Sequence, residues 1–180
     1  IAGEAAQGFE DAMLRIYNNN FGESLEDISD AMATVAQTTQ EMDPSKIEGM
    51  TQNALALRDT FGFDIQEQIR AANMLMDQFG VTGEEAFNLI AQGAQGGLDK
   101  NGDLLDSINE YSVHFKSLGL DVEDMFNSLQ NGAAAGTFSV DKLGDTIKEF
   151  GIRAKDGSDS TKEAFKTLGL DVDATSAAFA

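Results

Sequence analysis

Apolar residues recur along this chain at intervals of three and four, the spacing that aligns side chains on one face of an α-helix. Between Asp64 and Phe79 they fall at Ile65, Ile69, Ala72, Leu75, Met76 and Phe79. From Asp103 to Leu118 the stripe is Leu104, Leu105, Ile108, Tyr111, Phe115 and Leu118; from Asp121 it is Val122, Met125, Phe126 and Leu129. Val140, Leu143, Ile147 and Phe150 form a further set. Upstream the theme repeats in Phe9, Met13 and Ile16, then Leu25, Ile28, Met32 and Val35, then Ile47, Met50, Ala54, Leu57 and Phe61. No stretch of four or more residues alternates like a strand with β-branched enrichment. The pattern predicts an all-α fold.

What separates the stripes is more regular still. Phe61-Gly62-Phe63-Asp64, Phe79-Gly80-Val81-Thr82, Leu118-Gly119-Leu120-Asp121 and Leu168-Gly169-Leu170-Asp171 share one design, and Phe150-Gly151-Ile152 keeps its first three places. Gly just past a C-cap takes the left-handed conformation that closes a helix, and the next apolar residue folds back on the last turn, as in a Schellman motif. Asp or Thr then supplies an oxygen for the free N–H groups of the following helix. Glu67, Glu85 and Asp124 stand three residues beyond those caps, where they complete capping boxes. One helix thus ends and the next begins within two or three residues, which predicts a compact multi-helix bundle of short helices joined by tight Gly-stop/Asp-cap corners.

Asp43 before Pro44 marks another start, and Ser24 and Ser139 read as caps. Looser places are Asn18 to Asn20, Gly93 to Gly102, Gly132 to Gly136 and Lys155 to Ser160. A change of regime near Gln37 to Pro44 predicts a helical lead-in over 1–42 and a compact helical module over 43–180. The segments Phe115 to Val122 (FKSLGLDV) and Phe165 to Val172 (FKTLGLDV) agree at seven of eight positions, offset by 50 residues. A second register relates Phe61-Gly62 and Phe79-Gly80 to Phe150-Gly151 and Leu168-Gly169, 89 residues apart. Two offsets mean a repeated corner rather than one solenoid period. The chain opens on Ile1 rather than Met and stops after Asp171-Val172-Asp173, which reads as the opening turn of another helix. It is expected to be a piece of a longer protein.

Composition narrows the chemistry. Of 180 residues, 31 are Asp or Glu and 12 Lys or Arg, for a formal charge of −19. That leaves no basic footprint to neutralise phosphates, which argues against direct nucleic-acid binding and disfavours anionic membranes. Without cysteine there is no disulfide, thiolate zinc site, thiol nucleophile or iron–sulfur cluster. No apolar run approaches the ~18 residues of a membrane span, and no signal segment opens the chain.

Four residues are candidate Ca²⁺ ligands. Asp99, Asn101, Asp103 and Glu110 occupy positions one, three, five and twelve of an EF-hand-like loop. Against it, Leu104 takes the place of the turn glycine, Asp106 replaces an apolar residue, and the stripe of Leu104, Leu105 and Ile108 begins inside the loop. The alternative is a polar turn whose Asp103 caps a helix. His114 has no second His or Cys to join it, and reads as a helical residue beside aromatic neighbours. Acid pairs are too many to single one out, and Glu84-Glu85 and Glu123-Asp124 already serve helix starts. No phosphate loop, His-Glu-x-x-His or Gly-x-Ser-x-Gly is present. Gly132 and Gly136 around Ala133 to Ala135 read as a tight turn or close helix crossing, and the methionines as adaptable core filling.

These residues, taken in series, resemble phage tail tape measure proteins. The resemblance rests on Phe61-Gly62-Phe63-Asp64 to Arg70-Ala71-Ala72-Asn73, Gln78-Phe79-Gly80 through Glu84 to Gly93, and Leu98-Asp99-Lys100-Asn101-Gly102-Asp103-Leu104-Leu105-Asp106. It continues through Glu110-Tyr111-Ser112, Phe115, Gly132 to Gly136, Asp141 to Asp145, Phe150-Gly151-Ile152-Arg153 and Asp156-Gly157-Ser158, covering about 44 to 180. It implies a structural, non-enzymatic role in the tail of a long-tailed phage or prophage: tail length determination, tail assembly and DNA delivery. The partners it implies are the tail tube protein, tail assembly chaperones and baseplate or tip proteins, with location in the virion tail and, during assembly, the host bacterial cytoplasm. No cofactor is implied. Peptidoglycan-cleaving domains and membrane-active stretches, carried by some relatives, have no counterpart in these residues. Two other classes compete: an acidic all-α interaction or adaptor module, Ca²⁺-responsive or mimicking nucleic-acid charge, and a peptidoglycan hydrolase, which needs a cleft with two isolated carboxylates of differing pKa.

Overall fold

In a computed structural model, which describes residues 2–136 and 139–179, the stripes become ten α-helices and no strand among the described residues. They are α1 (Ala2–Asn18), α2 (Leu25–Thr39), α3 (Pro44–Phe61), α4 (Ile65–Phe79), α5 (Gly83–Gln95), α6 (Leu104–Ser117), α7 (Val122–Ala134), α8 (Val140–Lys155), α9 (Asp159–Thr167) and α10 (Val172–Phe179). The fold is all-α, as the spacing predicts. None of these helices is long and apolar enough to cross a membrane.

Caps explain where the helices start. Asp43, with Pro44 in the first turn, accepts from the Ser45 N–H, and Ser24 and Ser139 accept from the N–H groups of Asp27 and Lys142. Thr82 with Glu85, and Asp121 with Asp124, form reciprocal capping boxes. Glu67 does not complete the box expected of it: its N–H donates to Asp64, which also accepts from Gln66 and so satisfies two free donors alone.

The glycine stops divide into two kinds. Gly62 and Gly80, at φ 76° and 72°, each send one N–H back to the carbonyl four residues earlier, Arg58 and Met76. At Gly119 and Gly169 the full Schellman pair forms: Gly119 donates to Lys116 and Leu120 to Phe115, as Gly169 does to Lys166 and Leu170 to Phe165. Phe150-Gly151-Ile152, expected as a partial stop, is none. It lies inside α8, because Arg153 rather than a capping Asp or Thr follows, and the chain turns only at Asp156-Gly157-Ser158.

The contrast is testable. A Cβ on Gly62 or Gly80 meets nothing within 4 Å, so Ala there acts through backbone strain alone. Gly62→Ala and Gly80→Ala are each expected to lower stability by about 1–2 kcal/mol in urea melts. Gly151→Ala, in a helix interior with only ordinary contact to Leu118, is expected to be neutral or stabilising by up to about 1 kcal/mol. A loss at Gly151 matching that at Gly62 would refute this division.

Packing follows the apolar faces. α3 lies against α1, α2, α4 and α5; α4 against α2, α5 and α6; α6 against α5 and α8. α7 packs on α5 and α8, while α9 packs on α10 and α10 on α8. A continuous buried core runs from Ala12 and Ile16 through Ile28, Leu55, Ile69, Leu75, Ile90, Leu104 and Phe115 to Leu129 and Val140. α1 and α2, the expected lead-in, contribute to this core across the loop at 40–43. Thr51, Gln68, Ser107 and Ser112 are buried polar residues on those faces. Gln68 reaches from α4 to donate to the Ala54 carbonyl of α3, and Ser112 turns its hydroxyl back to the Ile108 carbonyl.

Candidate functional site

Polar side chains converge at the seam between α6 and α8. A glycine makes that seam close: a Cβ on Gly144 would overlap the Tyr111 ring. Tyr111, 2% exposed, points its hydroxyl between the Asp141 carboxylate at 2.9 Å and the Asp145 carboxylate at 3.0 Å. One hydroxyl proton thus serves two acceptors. Burial, then the two carboxylates, hold the phenol above its ordinary pKa, so it remains a donor. Lys148 closes the other side, 2.9 Å from Glu110 and 5.8 Å from the Tyr111 ring centroid. Lys142 lies 3.6 Å from Asp145 and 3.9 Å from Asp141.

The four candidate calcium ligands fall around this seam without enclosing a common point. Asp99 accepts the Leu104 N–H at 3.1 Å, and burial raises its carboxyl above the usual range. It therefore satisfies the α6 start expected of Asp103, which occupies the N-cap position with no side-chain bond to its own helix. Asp103 instead turns one oxygen to the Asp141 N–H of α8, at 3.4 Å, while its other oxygen is buried without a partner. Asn101 lies exposed in the turn between α5 and α6, and Glu110 stands on α6 paired with Lys148. Among the described residues no group of three or more His, Asp or Glu is placed to hold a metal ion.

His114 is half-buried on α6, its ring 6.4 Å from that of Tyr111 and tilted by 46°. Gly132 and Gly136 combine both expected readings. A Cβ on Gly132 would overlap Leu143 of α8, and Gly136 takes the left-handed turn at φ 92°.

Elsewhere the surface is held by ion pairs and shallow hollows. Arg15 grips Glu48 between α1 and α3 through its Nε and terminal nitrogen, and Arg58 meets Asp27 at 2.7 Å between α3 and α2. The Arg58 hydrogen bond holds the Asp27 carboxyl below its ordinary pKa. Glu41 accepts from Lys46 and from the N–H groups of Met42 and Asp43, which pulls it down to about 2 and fixes the turn between α2 and α3. A hollow of about 550 Å³ opens beside it between α3 and α5, lined by Lys46, Asn53, Met76, Glu84 and Asn88. A second, of about 330 Å³, runs between α1 and α2 over Phe9, Met13, Met32 and Ala36. The chemistry of the seam is cross-bracing: hydroxyl, carboxylates and ammonium lock two helices in register.

Sequence reasoning placed Asp99 and Asp103 in this region but missed Gly144, Lys148 and the hydroxyl of Tyr111. A signal existed for Gly144. An isolated glycine beside Leu143 and three residues before Ile147 sits on the apolar face of a helix, where it costs stability unless packing requires it.

Comparison with known proteins gives the arrangement its context. A probable tape measure protein of Streptomyces phage phiC31 is 41% identical over 143 residues, which is 69% of this chain and 20% of that protein. The chain thus spans about a fifth of that relative's length. No solved structure shows a significant match. The sequence pattern of phage-related minor tail proteins matches residues 15–179. With that match over nearly its whole length, the chain belongs to the phage-related minor tail protein family.

Proposed function

We propose that this chain is a folded, non-enzymatic module of a tail tape measure protein, taking part in tail length determination, tail assembly and DNA delivery. The observation that carries the reading is the 41% identity to the phiC31 tape measure protein. Its partners are the tail tube protein, tail assembly chaperones and baseplate or tip proteins, met in the host cytoplasm during assembly and then in the virion tail. Charge supports transit beside DNA: a surface at −19 repels phosphate instead of retaining it.

The module adds bulk or an interaction surface rather than measured length. A continuous helix of 180 residues would extend about 270 Å at 1.5 Å per residue. Here the longest helix among the described residues has 18 residues, about 27 Å, and left-handed stops turn the chain after it. In-frame deletion of the coding segment from the phage gene, with tail lengths measured by negative-stain electron microscopy, tests this. The expected result is a tail shortened by much less than the extended-helix length. Shortening by the whole ~270 Å would overturn the compact-module reading.

A further inference from the structure

The repeated octapeptide provides its own control. Phe115 to Val122 and Phe165 to Val172 differ only at Ser117 against Thr167, and both copies close a helix with the same pair of Schellman hydrogen bonds. Asp121 and Asp171 then cap the next helix in the same way, accepting from the N–H groups of Asp124 and Ala174. Backbone and apolar side chains are alike; their cover is not. In the first copy Leu118 and Leu120 are half-buried, and α8 lies across the corner with Gly151 over Leu118, where an added Cβ would stand 3.5 Å from the leucine Cδ2. In the second, Leu168 and Leu170 are 72% and 47% exposed.

The covering helix also specifies what fits. Its contact face carries Ile147, packed on the core, then Gly151 four residues on, a large apolar residue followed by a small one. A small residue lets the helix come close enough for a leucine to sit against its backbone. Charge around the open corner differs from the rest of the chain. Six of the 12 cations, Lys142, Lys148, Arg153, Lys155, Lys162 and Lys166, lie within 142–166. Lys162 and Lys166 of α9 have no ion pair among the described residues.

We propose that the α9–α10 corner is a docking site for an amphipathic helix of the same polypeptide, outside these 180 residues, that covers Leu168 and Leu170 as α8 covers Leu118. That helix carries a large apolar residue, a Gly or Ala four positions later, and acidic residues facing Lys162 and Lys166. The source within the chain rests on the reading of this module as part of a tape measure protein, whose phiC31 relative is about four times its length. It is also how the first corner is covered, by a helix that starts 18 residues after Val122. A tether of that order makes the second helix effectively concentrated at its site.

Because these residues contain no cysteine, single thiols report cover directly. Leu168→Cys, Leu170→Cys, Leu118→Cys and Met42→Cys are introduced one at a time into the full-length protein. Alkylation is followed peptide by peptide by mass spectrometry. Met42, 73% exposed, is the open reference and Leu118 the covered one. The expected result is that the thiols at 168 and 170 react about tenfold or more slowly than that at 42, independent of protein concentration. Rates equal to that at 42 overturn the proposal. Protection that disappears on dilution also overturns it, since it assigns the cover to a second copy or a separate protein. Tail length reports on the tape measure reading and alkylation on the corner, so either can fail while the other stands.

Discussion

Gly144→Ala is expected to destabilise the chain by about 1–3 kcal/mol, and Gly144→Val by more, although Ala replaces Gly inside a helix. The usual direction is opposite: Ala gains about 1 kcal/mol over Gly in a helix interior. Here the added Cβ would overlap the Cδ2, Cε2 and Cγ atoms of Tyr111. That ring cannot swing aside cheaply, because it is buried and its hydroxyl is held by Asp141 and Asp145, on the same helix as Gly144. The clash falls partly at the base of the ring, so relief requires α6 and α8 to separate. A double-mutant cycle isolates the cause. Tyr111→Ala alone should cost about 3–5 kcal/mol. With that ring gone, Gly144→Ala should become neutral or stabilising by up to about 1 kcal/mol, giving a coupling energy of about 1–4 kcal/mol. Equal destabilisation by Gly144→Ala in both backgrounds, measured by urea denaturation followed by circular dichroism, would show that the seam does not depend on this contact.

What the sequence made legible was what neighbouring residues decide. Asp43, Ser24, Thr82, Asp121 and Ser139 cap helices because the partner N–H lies two or three residues away. Such bonds need no knowledge of the rest of the fold. Gly62, Gly80, Gly119 and Gly169 are legible for the same reason, whereas Phe150-Gly151-Ile152 keeps only the first three places of the pattern and, without the cap, does not end its helix. The Schellman turn at Gly97 and Leu98, with Leu98 buried, is hidden in sequence by the glycine-rich stretch around it. Contacts across the seam join residues 30, 34 and 38 positions apart. No local rule places Asp103 at the start of α8 or fits Tyr111 against Gly144. Buried Thr51, Gln68, Ser107 and Ser112 escaped for a related reason: a hydrophobicity pattern cannot tell a polar residue facing solvent from one facing a neighbouring helix. The acids of the candidate calcium loop have other partners in the structure. Asp99 and Asp103 satisfy backbone N–H groups, and Glu110 pairs with Lys148.

The two octapeptide copies predict the widest difference in energy from the most similar local sequence. In the 180-residue chain, Phe115→Ala should remove about 3–5 kcal/mol from global stability, whereas Phe165→Ala should leave the global urea transition nearly in place. Both phenylalanines precede the same Lys-x-Leu-Gly-Leu-Asp-Val run, so helix propensity and corner chemistry cancel between them. Their packing does not. Phe115 is fully buried inside the continuous core, while Phe165, 5% exposed, lies outside it, in a helix that packs on α10. Losing its ring should therefore loosen α9 and α10 as a local unit rather than unfold the whole chain. Amide hydrogen exchange distinguishes the cases: Phe165→Ala should accelerate exchange in α9 and α10 alone, and Phe115→Ala throughout α4, α6 and α8. Equal shifts of the urea midpoint would refute this partition. In the full-length protein the same pair tests the docking of a further helix on the open corner, because cover over Leu168 and Leu170 couples α9 to more of the fold. Phe165→Ala should then cost more in the full-length protein than in the 180-residue chain, while the cost of Phe115→Ala stays the same.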